Sequence, residues 1–249
     1  FAKRLAPIQI NYMGYPGTMG TNCIDFIVAD KYLIPDKEKK YYSEEPLYLE
    51  ESPLCCDDRL INMKKIGKRR EYGLPDKGFI FTCFNNNLKI CPTVFQIWMN
   101  LLHRVEDSCL WLYAANDLSR MNLLNQAEEL GISQCRIKFI SFLPLKNHLL
   151  RHTHADLFLD TFNFSAGATA IFSLISGTPL LTYYGRSYCS RMSSSLLQNA
   201  GLSELIVYSK EDYEEKAFEL ATNQDKYNKI KLKLKNAFEN ENFLNSEFF

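Results

Sequence analysis

The 249-residue sequence contains no apolar run of the roughly 18 residues that a membrane helix needs. It carries no net charge, since 29 Lys and Arg balance 29 Asp and Glu. No overall field therefore favours nucleic acid, an anionic membrane or an acidic partner, and any anion site has to be local. There is no Cys-x-x-Cys pair. The eight cysteines, Cys23, Cys55, Cys56, Cys83, Cys91, Cys109, Cys135 and Cys189, stand among apolar neighbours and read as reduced thiols acting as small hydrophobes. No basic, apolar and small-residue leader follows Phe1, so a cytoplasmic protein is expected, in host cytosol if the chain is a secreted effector. A start at Phe rather than Met leads us to expect a fragment. The patterns GxSxG, GxxxxGK[ST] and full GxGxxG are all absent, which removes the main support for hydrolase and kinase readings.

What is present is a soluble composition, 46% hydrophobic and 23% charged, enough for one large core or two modest ones. From Gly73 onward short apolar runs alternate with helix-like stretches, the pattern of βα units on a parallel sheet. Strands are expected at Phe79 to Phe84, Cys109 to Tyr113, Arg136 to Ile140, Leu157 to Leu159, Pro179 to Thr182 and Leu205 to Tyr208. Helices are expected from Pro92 through Leu102, over Leu118 to Leu130 closed by Gly131, and near Lys146 to His152 and Thr169 to Ser176. Further helices are expected over Arg186 to Asn199, Glu211 to Thr222 and, amphipathic, Asp225 to Phe243. The first 70 residues differ. They offer only two strands, Ile8 to Met13 and Phe26 to Ala29, too few to cover a sheet, and the charged segment Lys64 to Glu71 marks a boundary. The expected organisation is residues 1–70 as the tail of a preceding lobe, 71–223 as a Rossmann-like α/β lobe and 224–249 as a closing helix.

Three segments could carry chemistry. Asn85-Asn86-Asn87-Leu88-Lys89 sits where a strand gives way to a helix, the place where open α/β sheets bind ligands. A helix start there, with a lysine beside it, suits a diphosphate; an Asn cap with a solvated lysine explains the same residues more simply, since Asn is a common cap. Phe164-Ser165-Ala166-Gly167-Ala168-Thr169-Ala170 precedes another helix, and its small residues fit either close approach of a phosphate or tight packing. His148 and His152 lie one turn apart, as metal ligands can, but no carboxylate or cysteine at matching spacing completes a set, so no metal site is expected.

In order along the chain, Ala6-Pro7-Ile8-Gln9, Gly14-Tyr15-Pro16-Gly17-Thr18, Ile24-Asp25-Phe26 with Asp30, Tyr72-Gly73-Leu74-Pro75, and Phe84-Asn85 with Lys89 resemble the protein O-GlcNAc transferases and their plant O-fucosyltransferase relatives. So do Arg136-Ile137, His148, Ala155-Asp156, Leu159-Asp160-Thr161, Gly177-Thr178-Pro179 and Ser190-Arg191. The resemblance implies a GT-B arrangement of two Rossmann-like lobes. It implies transfer of GlcNAc or a related sugar from a UDP-sugar to Ser or Thr of an acceptor protein, with inversion, and with no cofactor, metal or nucleic-acid partner. It implies that Lys89 stabilises the leaving diphosphate, that Asn86, His148, Arg151, Gly167, Ala168 and Thr169 bind the donor, and that the general base and any helical repeats lie upstream of Phe1. Two positions depart from the family pattern. Gly167-Ala168-Thr169 replaces a His-Thr-Thr or Thr-Thr-Thr triplet, and Phe172 stands where an acidic residue normally holds the ribose. These departures leave a second expectation, a non-catalytic binding or scaffold protein on a degenerate glycosyltransferase fold.

Overall fold

The computed structural model describes residues 1–54 and 67–240. Cys55, Cys56, the Lys64–Ile66 part of the expected boundary and everything after Asn240 lie outside the described residues. The chain opens with a small parallel sheet of β1 (Ile10–Asn11), β2 (Phe26–Ala29) and β3 (Glu45–Tyr48), in that order. β3 was not expected, because Pro46 interrupts its pattern. It lies on the edge of the sheet, where a missing N–H is tolerated. β1 is shorter than the expected Ile8 to Met13, since Met13 turns to a positive φ of 57°.

The rest alternates strand and helix. β4 (Ile80–Cys83), α1 (Pro92–Arg104), β5 (Cys109–Tyr113), α2 (Asp117–Glu129), β6 (Ile137–Ile140), α3 (Leu145–His152) and β7 (Leu157–Leu159) are followed by α4 (Ala168–Ile175), β8 (Leu180–Tyr183), α5 (Met192–Asn199), β9 (Ile206–Val207), α6 (Lys210–Thr222) and α7 (Gln224–Asn240). All six strands pair in parallel in the order β6-β5-β4-β7-β8-β9. This is the doubly wound order, and its switch point, where ligands bind beyond the carboxyl ends of the strands, falls between β4 and β7. Every residue of β4 and β7 is buried, as central parallel strands covered by helices on both faces require. Helix starts follow local chemistry. Pro92 opens α1, and the Asn116 carboxamide accepts from Ser119 N at 2.8 Å to cap α2.

The expected helix over Arg186 to Asn199 is broken. A 3-10 turn covers Tyr188–Ser190 and α5 starts only at Met192. The break sits at Arg191, whose buried guanidinium forks onto Glu38 at 2.6 and 2.8 Å and donates to Gly185 O at 2.8 Å. Arg191 thereby joins the small sheet's segment to the large one, and its hydrogen bonds hold the Glu38 carboxyl below its ordinary range. Tyr188 and Tyr184 add hydroxyl bonds to Val28 O at 3.1 Å and Tyr32 O at 3.0 Å. The closing helix packs back through buried Ile230, Leu234 and Ala237, and Tyr227 Oη donates to Asp156 O at 3.0 Å.

Candidate functional site

Asp160 follows β7 directly and Asn85 lies two residues beyond the end of β4, so the switch point sets these two polar residues side by side, 75 positions apart in sequence. The Asn85 amide donates to Asp160 Oδ1 at 3.0 Å and to Thr161 Oγ1 at 2.8 Å. Its carbonyl accepts from Thr169 Oγ1 at 2.6 Å. Asp160 also accepts from Thr161 N, Ala166 N and Thr182 Oγ1, each at 2.8 Å. Burial pushes its carboxyl above the ordinary value, against the pull of those bonds. The carboxylate thus acts as a hub that sets the path of the loop from Phe162 to Gly167.

That loop delivers the start of α4. Ala168 is exposed, Gly167 and Thr169 are half-buried, and no side chain caps the helix. Among the described residues the N–H groups of Gly167, Ala168 and Thr169 donate to no acceptor, which leaves this terminus able to receive an anion. The Thr169 hydroxyl is spent on Asn85, so the backbone is what this terminus offers.

Lys89 reaches the same loop. Its ammonium donates to Ser165 O at 3.0 Å and lies over the Phe164 ring, 3.9 Å from the centroid. It has no ion-pair partner among the described residues. Burial lowers its affinity for a proton, partly offset by the Asp160 charge. A half-buried ammonium held by a carbonyl and an aromatic face is poised for an anion. Helix capping is a separate matter: Asn86 accepts from Leu88 N at 3.0 Å and caps the 3-10 turn Asn87–Lys89, whereas α1 begins three residues after Lys89, behind Cys91, with no side-chain cap. The terminus beside Lys89 is therefore that of α4 rather than of the helix that follows it in sequence.

Next to this polar corner opens a pocket of about 410 Å³, lined by Phe84, Asn86, Tyr113, Ile140 to Leu143, Leu145, His148 and Arg151. Its walls are mostly apolar and its polar groups few, as in sites for planar ligands. Phe84 forms the inner wall. It meets His148 at 5.7 Å and His152 at 4.7 Å between centroids, with the Arg151 guanidinium 5.9 Å from its own. Arg151 is buried, donates from Nη1 to Ser141 O at 2.7 Å, and keeps a buried Nε with no partner among the described residues. Burial lowers its pKa to about 10. Phe172 of α4 stands edge-on to His148 at 5.8 Å, joining the pocket to the helix start and placing no carboxylate there.

Of the seven expected site residues, Asn86, His148 and Arg151 line this pocket, Lys89 reaches the Phe164–Ser165 loop, and Gly167, Ala168 and Thr169 form the start of α4 that this loop delivers. Sequence reading missed Asp160 and Asn85 as the buried scaffold. The available signal was an acid ending the wholly apolar strand Leu157–Leu159. His148 and His152 face each other across 3.4 Å, and no group of three metal-type ligands occurs among the described residues. Other residues of the resemblance are structural: Thr178 donates to His152 O at 2.6 Å, and Asp156 accepts from Ile80 N at 2.7 Å and pairs with Arg69 at 2.6 Å.

A doubly wound parallel sheet with an open helix start and an aromatic pocket at its switch point, preceded by part of a second parallel sheet, has the architecture of the GT-B glycosyltransferases. The chain belongs to glycosyl transferase family 41, whose family model matches residues 1–66 and 54–249. It is 35% identical over 232 residues to the probable UDP-N-acetylglucosamine–peptide N-acetylglucosaminyltransferase SEC of Arabidopsis thaliana, covering 91% of this chain and 24% of that protein. It is 30% identical over 239 residues to the similarly described SPINDLY of Petunia hybrida, covering 94% of this chain and 25% of that protein. A solved variant of the Thermobaculum terrenum O-GlcNAc transferase superposes with a TM-score of 0.86 at 26% identity, covering 99% of this chain and 47% of that one. The chain spans about a quarter of the length of the curated relatives it matches.

Proposed function

We propose that this chain is the donor-binding part of a protein O-glycosyltransferase that transfers GlcNAc, or a closely related sugar, from its UDP conjugate to a Ser or Thr hydroxyl with inversion. The observation that carries this reading is the convergence of Lys89, the uncapped start of α4 and the apolar pocket of Phe84, His148 and Arg151 on one switch point. The base lies in the pocket, the diphosphate against the α4 amides, and Lys89 turns from Ser165 O to the phosphate oxygens. As the acceptor oxygen bonds to the anomeric carbon, the bond to the diphosphate breaks and its electron pair leaves with UDP. The charge that develops meets Lys89 and the helix start, with no need for a bound cation. Residues 1–70 form the tail of the other lobe, 71–223 the donor lobe and 224–249 its closing helix. The general base that takes the hydroxyl proton belongs to a lobe ahead of this segment, in a cytoplasmic protein whose partners are protein acceptors. The relatives described as UDP-GlcNAc–peptide transferases support the choice of donor.

The placement of Phe172 against His148 favours a second reading, a fold that binds protein partners after its ribose contact was lost. Incubating the full-length protein with UDP-GlcNAc, UDP-glucose and GDP-fucose separates the two. Release of UDP from UDP-GlcNAc faster than of the other leaving nucleotides is expected. A folded protein that releases none of them and labels no acceptor would leave the scaffold reading in place.

A further inference from the structure

The chain carries no net charge, yet its cations are not evenly spread. Exposed Lys31, Lys37, Lys39 and Arg186 gather with buried Arg191 about two carboxylates, Asp36 and Glu38. Both carboxylates are already engaged. Asp36 Oδ1 accepts from Lys31 Nζ at 2.8 Å and lies 2.9 Å from Lys39 Nζ, while Glu38 is forked by Arg191. Hydrogen bonds from these partners hold both carboxyls below their ordinary range, and Lys37 and Arg186 add to the field that lowers Glu38.

The short 3-10 helix Asp36–Tyr41 sorts the side chains. Residues three apart eclipse in such a helix, so Asp36 stands over Lys39 and Lys37 over Lys40. The first pair turns to Lys31 and to the Tyr48 ring, whose centroid lies 4.1 Å from Lys31 Nζ and 4.8 Å from Lys39 Nζ. Lys37 and Lys40 form an exposed row. With Arg186 they have no ion pair among the described residues, and Lys40 rests 5.1 Å from the Tyr41 centroid. The exposed acids that follow β3, Glu50 and Glu51, pair with none of these cations among the described residues.

This face adjoins the switch point. Arg186 belongs to the segment between β8 and α5, and Cys189 O of that segment accepts from Ser165 N at 2.8 Å and Ser165 Oγ at 2.9 Å, next to the carbonyl that holds Lys89. It lies on the β8 side, whereas the Phe84 pocket lies on the β4 side. We infer that this basic face docks an acidic segment of the protein that the neighbouring site glycosylates. Lysines already ordered over Tyr48 and Tyr41 lose less freedom when an anionic partner arrives. Single-stranded nucleic acid would need open aromatic platforms, but the Tyr48 and Tyr41 rings are covered by lysines. A membrane would need apolar side chains to insert, but Leu33 and Ile34 are fully buried. That the partner is an acceptor, rather than any acidic protein, rests on the transferase reading.

Calorimetry of the full-length protein with a Ser- and Thr-containing peptide flanked by Glu, and with the same peptide flanked by Gln, tests the surface. At low salt the Glu form is expected to bind about tenfold or more tighter, an advantage that shrinks as salt rises. It should vanish in the Lys37→Glu, Lys40→Glu, Arg186→Glu triple variant while UDP affinity stays unchanged, and in transfer from UDP-GlcNAc it should appear in KM rather than kcat. Equal affinity for the two peptides in the unaltered protein would overturn the inference, whether or not the variant folds. So would an advantage that survives in the folded variant, or tighter binding of oligothymidylate or phosphatidylserine vesicles than of the Glu-flanked peptide. A salt-sensitive Glu preference lost in the variant, with no sugar moved to either peptide, would keep the acidic docking surface and remove the transferase reading instead.

Discussion

Asp160→Ala is expected to cost about 3 to 5 kcal/mol of folding stability, a large share of what a domain of this size holds. The carboxylate is fully buried and accepts from Asn85 Nδ2, Thr161 N, Ala166 N and Thr182 Oγ1. Alanine leaves those donors facing a void. Each unmet buried donor costs about 1 to 3 kcal/mol, and relaxation of the Phe162–Gly167 loop recovers only part of it. Asp160→Asn separates the loss of acceptors from the loss of charge. Its carbonyl keeps the two backbone donors, and its amide can donate to the Thr182 hydroxyl, so a cost of about 1 to 2 kcal/mol is expected. Urea unfolding followed by circular dichroism measures both. Equal midpoints for the Ala variant and the unaltered chain would remove Asp160 from its place at the centre of the switch point.

Lys89→Ala is expected to weaken UDP binding about 10- to 100-fold with little change in stability, since a charge-assisted contact to phosphate is worth about 1.5 to 3 kcal/mol. Stability changes little because the ammonium is already held below its ordinary pKa by burial, and what it gives up in the free chain is one carbonyl bond and one aromatic face. Calorimetry with UDP beside a thermal melt reads the two effects separately. Loss of affinity together with a lowered melting temperature of many degrees would make Lys89 a structural residue that ties the Asn87–Lys89 turn to Ser165. Unchanged affinity would move the diphosphate elsewhere.

The parallel sheet was legible because its central strands are apolar on both faces. Cys109–Tyr113, Leu157–Leu159 and Phe26–Ala29 occur with the ends expected from the sequence. Where side chains serve distant partners the pattern misled. Pro46 hid an edge strand, and Arg191, which looked like part of a continuous helix, interrupts it to reach Glu38, 153 positions away. The site was half legible. Lys89 and Gly167-Ala168-Thr169 could each be picked out as features at strand-to-helix turns. That Lys89 reaches the loop leading into Gly167-Ala168-Thr169 depends on β4 and β7 being neighbours, which sequence spacing alone does not state. Asn86 and His152 show the reverse. Local spacing suggested that Asn86 caps the following helix, but it caps a 3-10 turn, and the one-turn spacing of His152 from His148 did not state that His152 is its buried partner.

The claim on which the account depends is that one crevice receives a nucleotide diphosphate, and a UDP titration of the isotope-labelled chain followed by backbone NMR tests it most directly. The account predicts saturable shifts at Phe84 to Lys89, at His148 and Arg151, and at the amides of Gly167, Ala168 and Thr169. No shifts at millimolar UDP would contradict it, as would shifts confined to the opposite, amino-terminal ends of the strands around Gly73, Ser108 and Arg136.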